Sequence, residues 1–382
     1  MNKISIVLGI GYGDEGKGAT VNSLCKKNPN SLVIRFSGGH QVGHTVVEND
    51  VRHIFSNFGS GALVGTPTYW SEYCTVNPLA LKNEGEALKN MGCLPSIIFN
   101  SYCQITTPYD IYFNLNNAKT LTHGTVGVGF GATIQRNESN FHLYARDLYY
   151  PQIRDEKLRL IAEVYYKYEN PSLFQKPLEA FKKACDELVA NYKIVNNIGN
   201  LKLSDYKHFI FEGSQGILLD MDYGFFPHVT RSYTTSRNAF EIIKQLETHI
   251  NIEEINTYYM TRAYQTRHGN GFLSNEDIDN SYIKINPNET NSDHSHQGKF
   301  RRSMLDTYMM KYAISSDEYH NNTNKHLVIS CMDHLSTEKI PITIYSNKTQ
   351  KNEVWNLRPE EIGAWLNINN IFTSDNEKGV VF

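Results

Sequence analysis

The chain has 382 residues, with 37 Lys and Arg against 40 Asp and Glu for a formal net charge of −3, so it lacks the positive excess expected when nucleic acid is the main partner. Its six cysteines (Cys25, Cys74, Cys93, Cys103, Cys185 and Cys331) form no CxxC pair, which speaks against a zinc site or a disulfide framework and for a reducing cytoplasm. No stretch approaches the ~18 apolar residues of a membrane span, and MNKISIVLGI reads as a strand, not a signal segment.

Residues 4–10 are apolar and β-branched and end in glycines; a helix is expected from about Lys17 to Lys27, and LVIRF at 32–36 reads as a second buried strand. Further strands are expected at SIIF (96–99), FIF (209–211), TYYM (257–260) and HLVIS (326–330), most of them followed by polar or Gly-rich loops. RDEKLRLIAEVYYKY and LEAFKKACDELVANY show helical spacing with charged faces and read as amphipathic helices covering a core. The Asn-rich NPNETNSDHSHQ (286–297) is the candidate for a long mobile loop. No repeat, Pro-rich linker or low-complexity run divides the chain. The expectation is one α/β domain over 1–382, with a mostly parallel central sheet flanked by helices and a helical insertion at about 150–200.

The loop GIGYGDEGKG (9–18) fits two templates. Gly11, Gly13 and Gly16 satisfy GxGxxG between a strand and a helix, but a dinucleotide site also needs an acid at the end of the second strand, and residues 16–47 contain no Asp or Glu. Gly11, Gly16 and Lys17 satisfy the first seven places of GxxxxGK[ST], in which backbone amides and the lysine cradle phosphates at a helix N-terminus. Position 18 is Gly, however, so the usual metal-binding hydroxyl is missing and Asp14 becomes the candidate metal ligand. A second loop, RFSGGHQVGHTVV (35–47), brings His40, Gln41, His44 and Thr45 after a strand. The two loops are expected at the ends of adjacent strands, facing one crevice, with Asp14 and a histidine as an acid and a base.

GYGDEGKG and GGHQVGHT together resemble the QWGDEGKG and GGxNAGHT motifs of the adenylosuccinate synthetase family, ligases that join aspartate to IMP using GTP. The rest of the chain agrees in order: FGSGAL (58–63), HGTVGVGFG (123–131), FEGSQGILLDMDYGFFPHVT (211–230), RAYQTRHGNG (262–271), QGKFRRSMLDT (297–307) and SCMDHL (330–335). The resemblance implies that family's P-loop-like NTP-binding architecture and a two-step phosphoryl-transfer mechanism. Asp14 would take the proton from the purine ring nitrogen beside the 6-oxygen, His44 would hydrogen-bond the GTP γ-phosphate, and Gln215 would stabilise charge on the 6-oxygen. The GTP contacts implied are Gly13, Glu15, Gly16, Lys17, Gly18, Gly43, His44 and Thr45, with Asp333 reading guanine and Ser374 in the loop IFTSDNEKG. Magnesium would sit between Asp14, the Gly43 carbonyl and GTP. The purine monophosphate would meet Asp14, Lys17, Gln41, Thr125, Gln215, Thr230 and Lys299. The two carboxylates of aspartate would meet Lys299, Arg301 and Arg302, paired cations of the kind such a ligand needs.

The departures from the family pattern concern the substrates. Val126 replaces the second Thr of GTTG, Gln41 replaces Asn, Cys331 replaces Lys, and GKFRR is thinner than GRRRR. The arginine that reaches the substrate phosphate from the other subunit has no match near Phe141, where Arg136 and Arg146 are the alternatives, and the part at about 340–382 is shortened. Compact relatives that aminate dGMP are expected to lose the loop aspartate; Asp14 is kept here, which favours IMP. The alternatives are the same ligation on dGMP, dIMP or with another amino acid, and a nucleotide sensor without ligation. The resemblance also suggests a homodimer.

Overall fold

The structure, a computed structural model, describes residues 2–382 other than 118–124, 169, 285, 288, 290, 292, 294–297 and 347–348, and other than the side chains of 171 and 172. β1 (Asn2–Gly9) is covered on both faces. Ile4, Ile6 and Leu8 pack into one core with Leu32, Ile34, Phe209 and Phe211, whereas Val7 turns to a second with Val33, Ile210, Met260 and, from α1 (Lys17–Lys27), Val21 and Leu24. A strand buried on both faces shows no polar alternation, hence its continuous apolar run. β2 (Ser31–Arg35) is buried at every position for the same reason.

Nine strands form one sheet in the order Asn370–Thr373, Asn324–Ser330, Ile252–Arg262, β1, His208–Gly216, β2, Thr68–Trp70, Ile97–Asn100 and Lys193–Val195, and every neighbouring pair is parallel. All nine therefore deliver their C-terminal ends to one edge, where ligands of open α/β sheets bind. Among the smaller ladders is the hairpin of β3 (His44–Glu48) and β4 (Val51–Phe55), which turns through Asn49 and Asp50, both at positive φ.

The expected strands and α1 are all present, but β1 and β2 are not adjacent. His208–Gly216, an apolar strand buried along nearly its whole length, pairs with both of them, so α1 carries the chain across it to β2. Its last residues, Glu212 to Gly216, thus lie between the two Gly-rich loops. RDEKLRLIAEVYYKY begins in a helix, Pro151–Leu160, that continues as a π-helical turn, Ile161–Tyr165, and its last three residues lie beyond it, with Lys167 at positive φ. LEAFKKACDELVANY lies in Gln175–Asn191, with Phe181, Ala184, Cys185 and Leu188 buried. Of the expected loop at 286–297, positions 288, 290, 292 and 294–297 lie outside the described residues, as do 123 and 124 of HGTVGVGFG. Among the described residues no helix is long and apolar enough to cross a membrane.

Candidate active site

After β1 the chain turns through Gly13, Asp14 and Gly16 at φ of 112°, 64° and 88°. Glycine adopts this region without strain; Asp14 does so while clamped, with Arg262 Nε donating to its carbonyl at 2.5 Å. Next to it, Ser330 Oγ donates to the Glu15 carbonyl at 3.0 Å. The buried Glu15 carboxylate turns inward and accepts from Gly11 N (3.1 Å), Gly13 N (2.8 Å) and Lys17 Nζ (2.8 Å). The loop is therefore shaped by its own carboxylate, on which Lys17 rests. The absent P-loop hydroxyl has a steric reason. A Cβ on Gly18 would stand 2.8 Å from His44 Cβ and 3.1 Å from Ser60 Oγ, so His44 fills the space such a side chain would need.

His44 opens β3 at the end of the second loop. Its Nδ1 lies 2.7 Å from Glu212 Oε1 and its Nε2 3.1 Å from the Ser214 carbonyl, both on the intervening strand. Glu212 is fully buried and also accepts from Ser60 N at 3.1 Å and from the Ser60 hydroxyl. Burial raises its pKa, but His44, Arg35 and Ser60 outweigh burial and push it down from 4.5 to about 2. For His44 burial is the largest influence and lowers the pKa, Arg35 and Lys17 act with it, and Glu212 opposes them. Glu212 and the Ser214 carbonyl are both acceptors, so each ring nitrogen of His44 faces a group that takes a hydrogen from it, the ionised Glu212 being the stronger partner.

Asp14 is half-buried, and its Oδ2 lies 3.3 Å from His268 Nε2. Burial alone would raise the Asp14 pKa; the hydrogen bond from His268 and the charges of Arg262, His268 and Lys17 prevail and lower it. Around the second loop several buried polar atoms have no hydrogen-bond partner among the described residues: all three Arg35 nitrogens, both amide atoms of Gln41, His40 Nδ1, Thr75 Oγ1 and Gln215 Oε1. Buried polar groups are ordinarily paired, so unpaired ones gathered at a sheet edge fit a polar ligand. Arg35 lies over the Trp70 ring at 5.0 Å, and a Cβ on Gly39 would stand 2.2 Å from Thr75 Oγ1 and 3.2 Å from Gln41 Oε1.

The remaining expected residues surround this centre. His40 Nε2 lies 3.0 Å from the Val128 carbonyl, tying the second loop to the turn of Thr125 and Val126, where Thr125 Oγ1 accepts from Gly127 N at 3.1 Å. Thr230 N donates to Leu219 O at 2.8 Å. Lys299 is exposed, while Arg301 and Arg302 are successive residues of the strand Phe300–Ser303 and so point to opposite faces. Arg301 bonds Glu276 Oε2 and the Gly271 carbonyl, both at 2.8 Å. Gly43 and Asp333 are exposed, Thr45 is half-buried, and buried Ser374 accepts from Met332 N at 3.0 Å through its carbonyl, joining two loops of the sheet edge. Of the two substitute arginines, Arg136 is ruled out. It is fully buried and spent on Asp110 Oδ1 (2.8 Å) and Oδ2 (3.0 Å) and the carbonyls of Phe141 and Ile105. Arg146 is exposed and lies over the Tyr102 ring at 4.6 Å. Sequence reasoning missed Glu212, Arg35, Arg262 and His268, although all four lie in the quoted stretches: Arg35 in RFSGGHQVGHTVV, Glu212 in FEGSQGILLDMDYGFFPHVT, and Arg262 and His268 in RAYQTRHGNG.

The family described as adenylosuccinate synthetase matches residues 6–374. The adenylosuccinate synthetase of Borrelia duttonii (strain Ly) is 32% identical over 242 residues, 60% of this chain and 56% of the relative, so the chain spans little more than half of that relative's length. That of Buchnera aphidicola subsp. Schizaphis graminum (strain Sg) is 32% identical over 334 residues, 82% of this chain and 74% of the relative. Among solved structures, the fully ligated adenylosuccinate synthetase from Plasmodium falciparum superposes with a TM-score of 0.75 at 19% identity, covering 100% of this chain and 99% of that one. The cyanophage S-2L succinoaminodeoxyadenylate synthetase bound to dGMP and dATP gives 0.61 at 13% identity, covering 100% and 95%. Both likenesses are of fold.

Proposed function

The chain belongs to the adenylosuccinate synthetase family, and from that premise we propose that it ligates L-aspartate to IMP, driven by GTP, through a 6-phosphoryl-purine intermediate. The observation that carries the reading is the pairing of two proton-handling groups at one sheet edge: Asp14 on the loop after β1, and His44 bonded to Glu212 and Ser214 on the strand that leads to Gln215. Asp14 takes the proton of the ring nitrogen beside the 6-oxygen. That oxygen then attacks the γ-phosphorus, the bond to the β-phosphate oxygen breaks, and GDP leaves. His44 Nε2 and Lys17 meet the γ-phosphate, and Gln215 meets the 6-oxygen; positioning and charge neutralisation are what phosphoryl transfer requires. In the second step the aspartate amine bonds C6 and phosphate departs with the 6-oxygen. Of Lys299, Arg301 and Arg302, Lys299 and Arg302 hold the two carboxylates; Arg301 points to the other face of its strand and is bonded to Glu276 and the Gly271 carbonyl.

Among the described residues no group of three or more His, Cys, Asp or Glu could hold a metal ion by itself. Magnesium keeps waters and takes one or two protein ligands beside substrate phosphates, which a lone loop carboxylate such as Asp14 can supply. Asp14 and the Gly43 carbonyl would hold it, and it would supply charge neutralisation on the phosphates. We read residues 1–382 as one domain with a helical insertion at about 150–200 and a shortened part at about 340–382, acting in the cytoplasm as a homodimer. The thin GKFRR segment favours a second reading, the same ligation with another amino acid, with dGMP or dIMP as the alternative nucleotides. The test is a panel of IMP, dIMP and dGMP with GTP, magnesium and aspartate, followed by mass spectrometry: succinyl-AMP as the main product supports the first reading, and a strong preference for dGMP overturns it.

A further inference from the structure

Asp14 stands at positive φ in a Gly-rich loop. It is restrained by one distant stretch, the end of the strand Ile252–Arg262 and the strand Gln265–His268 that follows it. Arg262 Nε holds the Asp14 carbonyl at 2.5 Å and is itself anchored by Glu289 Oε2 at 2.6 Å. His268 Nε2 meets Asp14 Oδ2 at 3.3 Å, the one ion-pair contact of that carboxylate among the described residues. The imidazole is held in turn: its ring centre lies 4.9 Å from that of Phe300, its cross-strand neighbour, and Nε2 lies 3.4 Å from Asn291 Oδ1. Both oxygens near Nε2 are acceptors, so this nitrogen carries the hydrogen whether the ring is neutral or charged, and Nδ1 is buried without a partner among the described residues.

We propose that His268 is a positioning residue for Asp14: its Nε2–H fixes Oδ2 and thereby turns Oδ1 toward the purine ring nitrogen. This rests on the reading of Asp14 as the base of the ligation. The residue receives no role from the family resemblance; it emerges from the contact alone. Without the donor, the carboxylate rotates about its last torsion and spends most of its time off the line of proton transfer. Removing the partner that orients an acting group ordinarily costs about 10- to 100-fold in activity.

The test is steady-state ligation by the full chain and its variants His268→Ala and His268→Gln, with GTP binding by calorimetry as the check that each variant is folded. Glutamine keeps a donor that reaches the same oxygen. We expect His268→Ala to lower kcat about 10-fold or more with the GTP dissociation constant within about threefold of wild type, and His268→Gln to recover most of the loss. If wild type yields succinyl-AMP and His268→Ala matches its kcat within about twofold, the positioning role is refuted. Equal loss in both variants also refutes it, since the ring's packing on Phe300 and not its donor would then matter. If wild type yields no product from IMP, the base assignment itself fails, a result distinct from either.

Discussion

Glu212 offers a prediction that can be worked from the structure. Its carboxylate is fully buried and accepts from His44 Nδ1 and from the amide and hydroxyl of Ser60, which with Arg35 holds its pKa at about 2 against an ordinary 4.5. A folded-state pKa below the unfolded one contributes stability that is fully present above the unfolded value and is lost as pH falls through the folded value. The separation between 4.5 and about 2 corresponds to about 3 kcal/mol at neutral pH, of which about 2 kcal/mol is gone by pH 3. Glu212→Gln removes the charge, and its single amide oxygen cannot serve both Ser60 N–H and His44 Nδ1–H. Urea unfolding followed by circular dichroism should find the variant less stable than wild type by roughly 3 kcal/mol at pH 6, with the gap closing to roughly 1 kcal/mol at pH 3. A gap below about 1 kcal/mol at pH 6, or one that does not change with pH, refutes the reasoning.

Asp14→Asn should abolish ligation while calorimetry still shows GTP binding, because an amide can hydrogen-bond but cannot accept the ring proton; turnover near that of wild type would remove Asp14 from its role. Gly18→Ser, which restores the P-loop hydroxyl, should lower kcat by about 10-fold or more, since its Cβ would lie 2.8 Å from His44 Cβ and displace that ring. Steady-state kinetics with saturating substrates checks it. Arg136→Met leaves Asp110 buried without its cation and should cost about 3–5 kcal/mol in urea unfolding, while the GTP affinity of the folded fraction, read by calorimetry, stays near that of wild type.

What the sequence showed and what it hid divide along contact range. The helix Lys17–Lys27 and the strands at 97–100, 208–216, 252–262 and 324–330 follow from local apolar runs bounded by glycines and polar loops, and they appear where expected. Strand order is a long-range property: the pairing of His208–Gly216 between β1 and β2 leaves no trace in either loop. That same insertion brings Glu212 to His44, 168 residues away, and so explains why the partner of a recognised histidine went unread. Glu15 was expected among the phosphate contacts from its place in the loop, and the structure gives its side chain to the amides of Gly11 and Gly13. His268 was hidden for a similar reason, because a lone histidine in TRHGNG acquires meaning only once the strand Gln265–His268 is brought against Asp14.

The most direct test of the central claim follows the 6-oxygen. IMP labelled with 18O at that position is incubated with the protein, GTP, magnesium and aspartate, and the inorganic phosphate released is weighed by mass spectrometry. The account predicts succinyl-AMP together with phosphate that carries the label, since the oxygen that attacks the γ-phosphorus leaves C6 with it. Unlabelled phosphate, or GTP hydrolysis without succinyl-AMP, would contradict it.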